Sequence, residues 1–511
     1  MAPRLRPVQV TALAALAAQQ APRGIVGDIG VGHGKTLIYL LAAAVLGVPG
    51  DRALVLVPAR LVKGTLRALS DFSDALPVLR RYAPRVVSHE GLSSRKQSGL
   101  LHEALPRLVC VDEAHAFRNP AAARTKRLLD YAVTYPDTRF VVASGTLVTR
   151  SLRDFAHLVE LALRDGSPIP LDDGVLGMWA SVLDVGAEPA PTAKAAMRPL
   201  LRWAGTQDFR EAFRLRWITT PGIITTPEAS VRCALRVGEW RPGGVPADVQ
   251  DALKTLTERW ELPDGEQIVD AVDFSRHALT LSLGFYYRMV WGDVPSPDLV
   301  DWREARRKWG AALRWALSEG MTGLDSPALV EEAVKEGRLR GYIATTYKAW
   351  QDIKDTVQPE SEAVWLDGGH VLMDKAVAWV RAQRRPHLVW YASKAVEAAL
   401  AARGLDTHGS GTDAPQAPAR AVAASIRAHG TGANLQAWAD AVVLEPPANG
   451  TAWEQLLGRT HRGGQEADEV TWHVAAWTWP LRQRLERAKK DALFIEEMTF
   501  KRQKLTYCDF F

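Results

Sequence analysis

The sequence predicts an α/β protein in which two parallel-sheet domains are joined by a mainly helical, Trp-rich region. Short apolar runs alternate with amphipathic helical stretches over residues 24–163 and again from about residue 371. The strand runs are continuously apolar, the pattern of strands covered on both faces by helices and therefore parallel. All 18 tryptophans lie at or after Trp179, so the chain is a composite of unlike parts. With 511 residues, 47% hydrophobic and 24% charged, it is neither largely disordered nor limited to one core.

In the first unit, strands are expected over 24–27, 53–57, 85–88, 108–111 and 139–143, with helices over 35–46, 61–72, 121–131 and 152–163. In the second, helices are expected over 371–383, 396–403 and 453–459, and strands over 387–392, 420–426, 441–444 and 470–475. This divides the chain into 1–164, an inserted region 165–370, a second α/β domain 371–480 and a helical tail 481–511. The inserted region does not alternate, and a structureless loop of that length is rare, so helical subdomains are expected, for example over 302–317. Its tryptophans read first as core packing, with a base-stacking surface as the alternative.

The chemistry concentrates in a few segments. Gly27-Asp28-Ile29-Gly30-Val31-Gly32-His33-Gly34-Lys35-Thr36 follows a strand and opens a helix. Glycines let backbone N–H groups converge on phosphate oxygens, and the helix N-terminus adds partial positive charge. Gly32, His33, Gly34, Lys35 and Thr36 are the expected nucleotide-binding residues, with Lys35 reaching the β- and γ-phosphates and Thr36 offering its hydroxyl to Mg²⁺. Ile29 stands where the usual first glycine of such a loop would be. A second apolar run, Leu108–Val111, ends in Asp112-Glu113-Ala114-His115. Asp112 suits a metal anchor and Glu113 a general base that aligns an attacking water.

Together these two segments resemble the superfamily 2 nucleic-acid-dependent ATPases, whose two lobes are RecA-like P-loop NTPase folds. Further blocks follow in that family's order. Leu5-Arg6-Pro7-Val8-Gln9 resembles the segment in which a glutamine, here Gln9, contacts adenine. Segments 54–59, 86–92 and 430–436 resemble strand-contacting motifs, which implies nucleic-acid contacts at Pro58, Ser88, Gly432 and Asn434. Ser144-Gly145-Thr146 resembles the motif coupling ATP to nucleic acid, with Thr146 also near the strand. Gln455-Leu456-Leu457-Gly458-Arg459-Thr460-His461-Arg462-Gly463-Gly464-Gln465 resembles the final motif of the Swi/Snf-like DEAH-box translocases, as does Arg118-Asn119-Pro120. The resemblance implies that Gln455, Arg459 and Arg462 complete the catalytic site from the second lobe. It covers roughly residues 1–163 and 371–480. The weak match at 214–220, the short stretch 409–422 and the Trp-rich insert look more like compact helicase-like ATPases of bacteriophages.

The implied activity is an ATP-dependent DNA translocase or helicase using ATP and Mg²⁺, the latter held by Thr36 and Asp112. RNA-directed unwinding and an ATP-gated clamp that does not travel remain alternatives. Gripping through phosphates implies little sequence specificity, and the net charge of +5 is compatible with nucleic acid. Cys110, Cys233 and Cys508 are far apart and form no zinc spacing or disulfide framework. No signal-peptide core or membrane span is expected, and a cytoplasmic location is, in the host cell if the chain is phage-encoded. The basic tail reads as a solvated helix face, with a phosphate-contacting stripe as the alternative.

Overall fold

The computed structural model describes every residue except 1–4, 19–23, 31–32, 146, 185–188, 227–230, 232, 291–295, 319–323, 325, 417–419 and 500. The first unit holds β1 (Ile25–Asp28), β2 (Ala53–Val57), β3 (Arg85–Ser88), β4 (Leu108–Val111), β5 (Arg139–Ser144) and β6 (Ile223–Thr225). They form one parallel sheet in the order β3-β2-β4-β5-β1-β6. Every residue of β1, β2 and β4 is buried. Helices on either face supply two separate apolar layers, one around Phe117, Leu128 and Phe155, the other around Ile38, Tyr39 and Leu13. This is the physical counterpart of the uninterrupted apolar runs.

The second sheet contains β7 (Ala234–Trp240), β10 (His387–Tyr391), β11 (Asp406–His408), β12 (Val422–Ser425), β13 (Asp440–Val443), β14 (Glu469–Ala475) and β15 (Asp509–Phe510), in the order β11-β12-β10-β13-β14-β7-β15. All its pairs are parallel. The remaining strands, β8 (Phe285–Met289) and β9 (Ser361–Trp365), make an antiparallel ribbon.

The region 165–370 is largely helical, yet it also lends a strand to each sheet. β6 extends the first beyond β1, and β7 pairs with the whole length of β14. Neither strand could be assigned from its own residues, because β6 has only three residues and Arg236, Gly238 and Glu239 interrupt the apolar residues of β7. Most of the tryptophans described there are core residues: Trp217 and Trp309 are fully buried, and Trp302 packs edge-on against Trp350. Trp203 and Trp315 are exposed.

The tail is not simply a solvated face. Along the helix Trp479–Thr499, Arg487 and Lys490 face solvent, but Asp491 is buried and paired with Arg150 of the first unit at 2.5 Å. Among the described residues, no helix is long and apolar enough to cross a membrane, and no three His, Cys, Asp or Glu side chains gather as a metal site.

Trp472 links the second core to the candidate site. It is fully buried on β14, stacks near-parallel to Trp390, and donates its indole N–H to Thr460 Oγ1 at 3.1 Å. Trp472→Ala is expected to destabilise the second unit by about 3–5 kcal/mol in chemical denaturation, whereas Trp203→Ala stays within about 0.5 kcal/mol.

Candidate functional site

In a parallel sheet all strands leave by the same edge, where loops from distant segments converge. The loop after β1 runs into the helix Lys35–Val45, with Gly34 at its N-cap in the left-handed region at φ +77°. At φ +77° any L side chain would be strained, and a Cβ there would displace the Gln9 amide, whose Nε2 lies 2.4 Å away. Gln9 accepts from the Arg6 N–H at 2.8 Å and donates to the Gly34 carbonyl at 3.0 Å, bracing the loop from the N-terminal helix Pro7–Ala17. Gly30 N–H donates to Thr226 Oγ1 at 3.0 Å, a second brace from the residue after β6. Lys35 Nζ donates to the Ile29 carbonyl at 3.0 Å, which curls it back over the loop. Thr36 stands in the first turn of the helix, half-buried. Gly32 lies outside the described residues.

The acidic pair ends β4 two strands away. Asp112 and Glu113 are each only 8% exposed. Burial is the main force raising the Asp112 carboxyl, to about 6; the adjacent Glu113 adds to the rise, while Lys35 and the Tyr39 hydroxyl, 2.9 Å from Oδ1, oppose it. Burial and the acids nearby hold the Tyr39 phenol well above its ordinary range, so it remains a donor. Burial would also raise Glu113, but Lys35, the hydrogen-bonded His115 and Arg459 outweigh it and keep this carboxylate ionised. Glu113 occupies the left-handed region at φ +47°, a conformation that costs of order 1 kcal/mol or more in a non-glycine residue. In that conformation Oε2 accepts from Ser144 Oγ at 3.4 Å and sits 3.4 Å from His115 Nδ1, while His115 Nδ1 and Ser144 Oγ are 2.9 Å apart. Ser144 ends β5, so the triangle ties the acidic loop to the segment expected to couple hydrolysis to strand movement. Thr146 lies outside the described residues.

The second unit supplies the opposing cations. Gln455 is buried in the helix Gly450–Leu457, and the Arg459 guanidinium, 3% exposed, donates to the Gln455 carbonyl at 2.9 Å and the Ala433 carbonyl at 3.0 Å. Burial and the nearby Arg462 lower Arg459 to about 10, against the attraction of Glu113 across the seam. Arg462 lines a cleft of about 950 Å³ together with Arg6, Gly30, His33 and Glu454. His33 is held neutral, at about 4, first by burial and then by Arg6, Lys501, Lys35 and Lys504. Glu113 thus lies in the field of both Lys35 and Arg459, and Arg462, near Arg459, lines the adjoining cleft with Gly30 and His33.

The expected nucleic-acid contacts gather elsewhere. Pro58 is buried at the end of β2, and Ser88 caps the helix His89–Ser93 by accepting from Gly91 N–H at 3.0 Å. Glu90 Oε2 accepts from Ala59 N–H at 2.9 Å, fastening these two loops together. Gly432, at φ +83°, faces them from the second unit: a Cβ there would lie 2.4 Å from Leu61 Cδ2. Asn434 is exposed two residues on.

Tyr39, Arg60, Thr226 and Lys501 were not expected from the sequence. Tyr39 lies one helical turn after Lys35, a spacing that could have revealed it. Arg60 shares the electric field of Glu113 and Arg459 and directly follows the Pro58-Ala59 turn. Thr226 and Lys501 carry no local signal.

No protein-family model matches the chain, and no curated protein matches it significantly.

Tyr39→Phe removes the hydrogen bond that favours ionised Asp112. The Asp112 midpoint is therefore expected to rise above about 6. Carboxyl-carbon NMR titration of the ligand-free protein checks the direction.

Proposed function

We propose that this chain is an ATP-dependent motor on nucleic acid, a two-lobed RecA-like ATPase of superfamily 2 and Swi/Snf-like type, acting on DNA with little sequence specificity. The reading is carried by one observation: Lys35, Asp112 and Glu113 on one side of the seam, and Arg459 and Arg462 on the other, belong to two different parallel sheets. The donor set fits a metal triphosphate, since a buried acid pair facing a lysine and a glycine-capped helix N-terminus suits Mg²⁺ and phosphate oxygens. Thr36 and Asp112 would hold the Mg²⁺, which screens phosphate charge and orients the terminal group.

Within this reading, Glu113, ionised and oriented by Ser144 and His115, accepts a proton from the attacking water. Lys35 leaves the Ile29 carbonyl for the phosphates. Arg459 and Arg462 present permanent positive charge to the phosphoryl group as its charge spreads. Their rigid guanidinium geometry makes turnover depend on the seam being closed. Ser144 touches Glu113 directly, giving nucleic acid bound beyond β5 a short route to the base. In this reading the loops at Pro58 and Ser88, with Gly432 opposite them near Leu61 and the exposed Asn434, would grip a backbone.

The test is the ATPase rate with duplex, single-stranded and forked DNA and with RNA. DNA is expected to stimulate most, and binding to weaken steeply with salt. Greater stimulation by RNA would reassign the substrate. ATP-dependent binding without triplex displacement would make the protein a clamp. Lys35→Ala should abolish turnover, and Glu113→Gln should lower kcat by about 10²- to 10⁴-fold while preserving nucleotide binding. Wild-type turnover in Glu113→Gln would remove it from the role of base.

A further inference from the structure

The tail beyond the helix Trp479–Thr499 enters the seam and touches both sides of it. Lys501 Nζ, on a residue only 7% exposed, lies 3.1 Å from Asp28 Oδ1, and the same amine donates to the Gly145 carbonyl. Asp28 is the last residue of β1, immediately before the phosphate loop, and Gly145 follows the last residue of β5. Three residues on, Lys504 Nζ reaches Glu454 Oε1 at 2.6 Å, and its N–H donates to Glu454 Oε2 at 2.7 Å. Glu454 is buried and directly precedes Gln455. The turn between the two lysines is itself anchored, because Glu496 Oε2 accepts from the Gln503 N–H at 3.2 Å and from the Thr506 hydroxyl. The chain then ends as β15 on the edge of the second sheet.

We propose that this tail is a clasp across the nucleotide seam and that Lys501 is a positioning residue for the chemistry on the first-unit side; the proposal rests on the nucleotide reading above. A lysine buried to this degree is retained only when its charge is paired, and removing one member of such a pair leaves the other uncompensated. Lys501 holds the strand end that roots the phosphate loop and the carbonyl next to Ser144, whose hydroxyl reaches Glu113. It thereby fixes the loop and the base relative to each other, while its own residue lines the cleft shared with Arg462, Gly30 and His33. Lys504 fixes the same tail to the helix that presents Gln455. Both halves of the site thus take their spacing from a segment more than 460 residues away in sequence from Lys35.

The experiment is steady-state ATPase kinetics, with DNA, on the full chain and on Lys501→Met, Lys501→Arg and Asp28→Asn/Lys501→Met. It is paired with spin-label distances between Ser70→Cys and Ala398→Cys, exposed positions on the two units. Lys501→Met is expected to lower kcat about tenfold or more while KM for ATP moves less than about threefold, and Lys501→Arg to recover most of kcat. The inter-unit distance distribution should broaden in Lys501→Met. Should that variant fail to fold, the double variant removes both buried charges; it is expected to fold and to keep the kcat defect. Wild-type kcat in either variant overturns the proposal, as does a kcat loss that Lys501→Arg does not recover. If the wild-type chain hydrolyses no ATP, the nucleotide reading fails on its own. The clasp is then judged by the distances alone, and an unchanged distribution in Lys501→Met overturns it.

Discussion

Parallel strand pairing is the constraint on which the rest of this molecule depends. Each strand must return to the same edge through a crossover, so the loops at the carboxyl ends of β1, β4 and β5 are neighbours although they lie up to about 120 residues apart. Polar residues there need no strand partners and are free to serve a ligand. Two such sheets, joined by a region that contributes a strand to each, bring Lys35 and Glu113 to the same seam as Arg459 and Arg462.

That seam concentrates buried charge. Asp28, Asp112, Glu113, Glu454, Arg459 and Lys501 are all below 10% exposure. Desolvating so many ions is costly, and specific partners offset it: Lys501 for Asp28 Oδ1, Lys504 for Glu454, Tyr39 for Asp112, Ser144 for Glu113, backbone carbonyls for Arg459. Asp28 keeps one buried carboxylate oxygen, Oδ2, without a hydrogen-bond partner among the described residues. Burial raises the Asp112 carboxyl to about 6, and the neighbouring Glu113 adds to that rise. The strained backbone at Glu113 belongs to the same economy, since the left-handed turn points its carboxylate at His115 and Ser144.

Local elements were legible because their signals are local. The expected strands at 53–57, 85–88 and 108–111 coincide with β2, β3 and β4, and the others differ by one or two residues at an end. The helices after the phosphate loop and between β10 and β12 were equally readable from apolar periodicity. β6, β7, β8, β9, β11 and β15 were not. β6, β11 and β15 are very short, β7, β8 and β9 carry polar residues among their apolar ones, and the pairing of all of them is settled by what lies beside them. The tail lysines misled for a related reason: a basic residue in sequence reads as solvated unless its acidic partner is known, and here the partners are Asp28 and Glu454.

The sequence by itself determined the α/β alternation, the glycine-rich turn before Lys35, the acids at the end of β4 and the arginines after the helix Gly450–Leu457, because each is a pattern of adjacent residues with its own conformational or chemical preference. Only the tertiary structure decided that Thr226 and Gln9 brace the loop, that Tyr39 holds Asp112, and that Lys501 closes the seam. Those contacts join segments separated by up to 473 residues. Apart from the helical spacing of Tyr39 after Lys35, no local preference encodes them, since they arise only when the sheets have brought distant segments together.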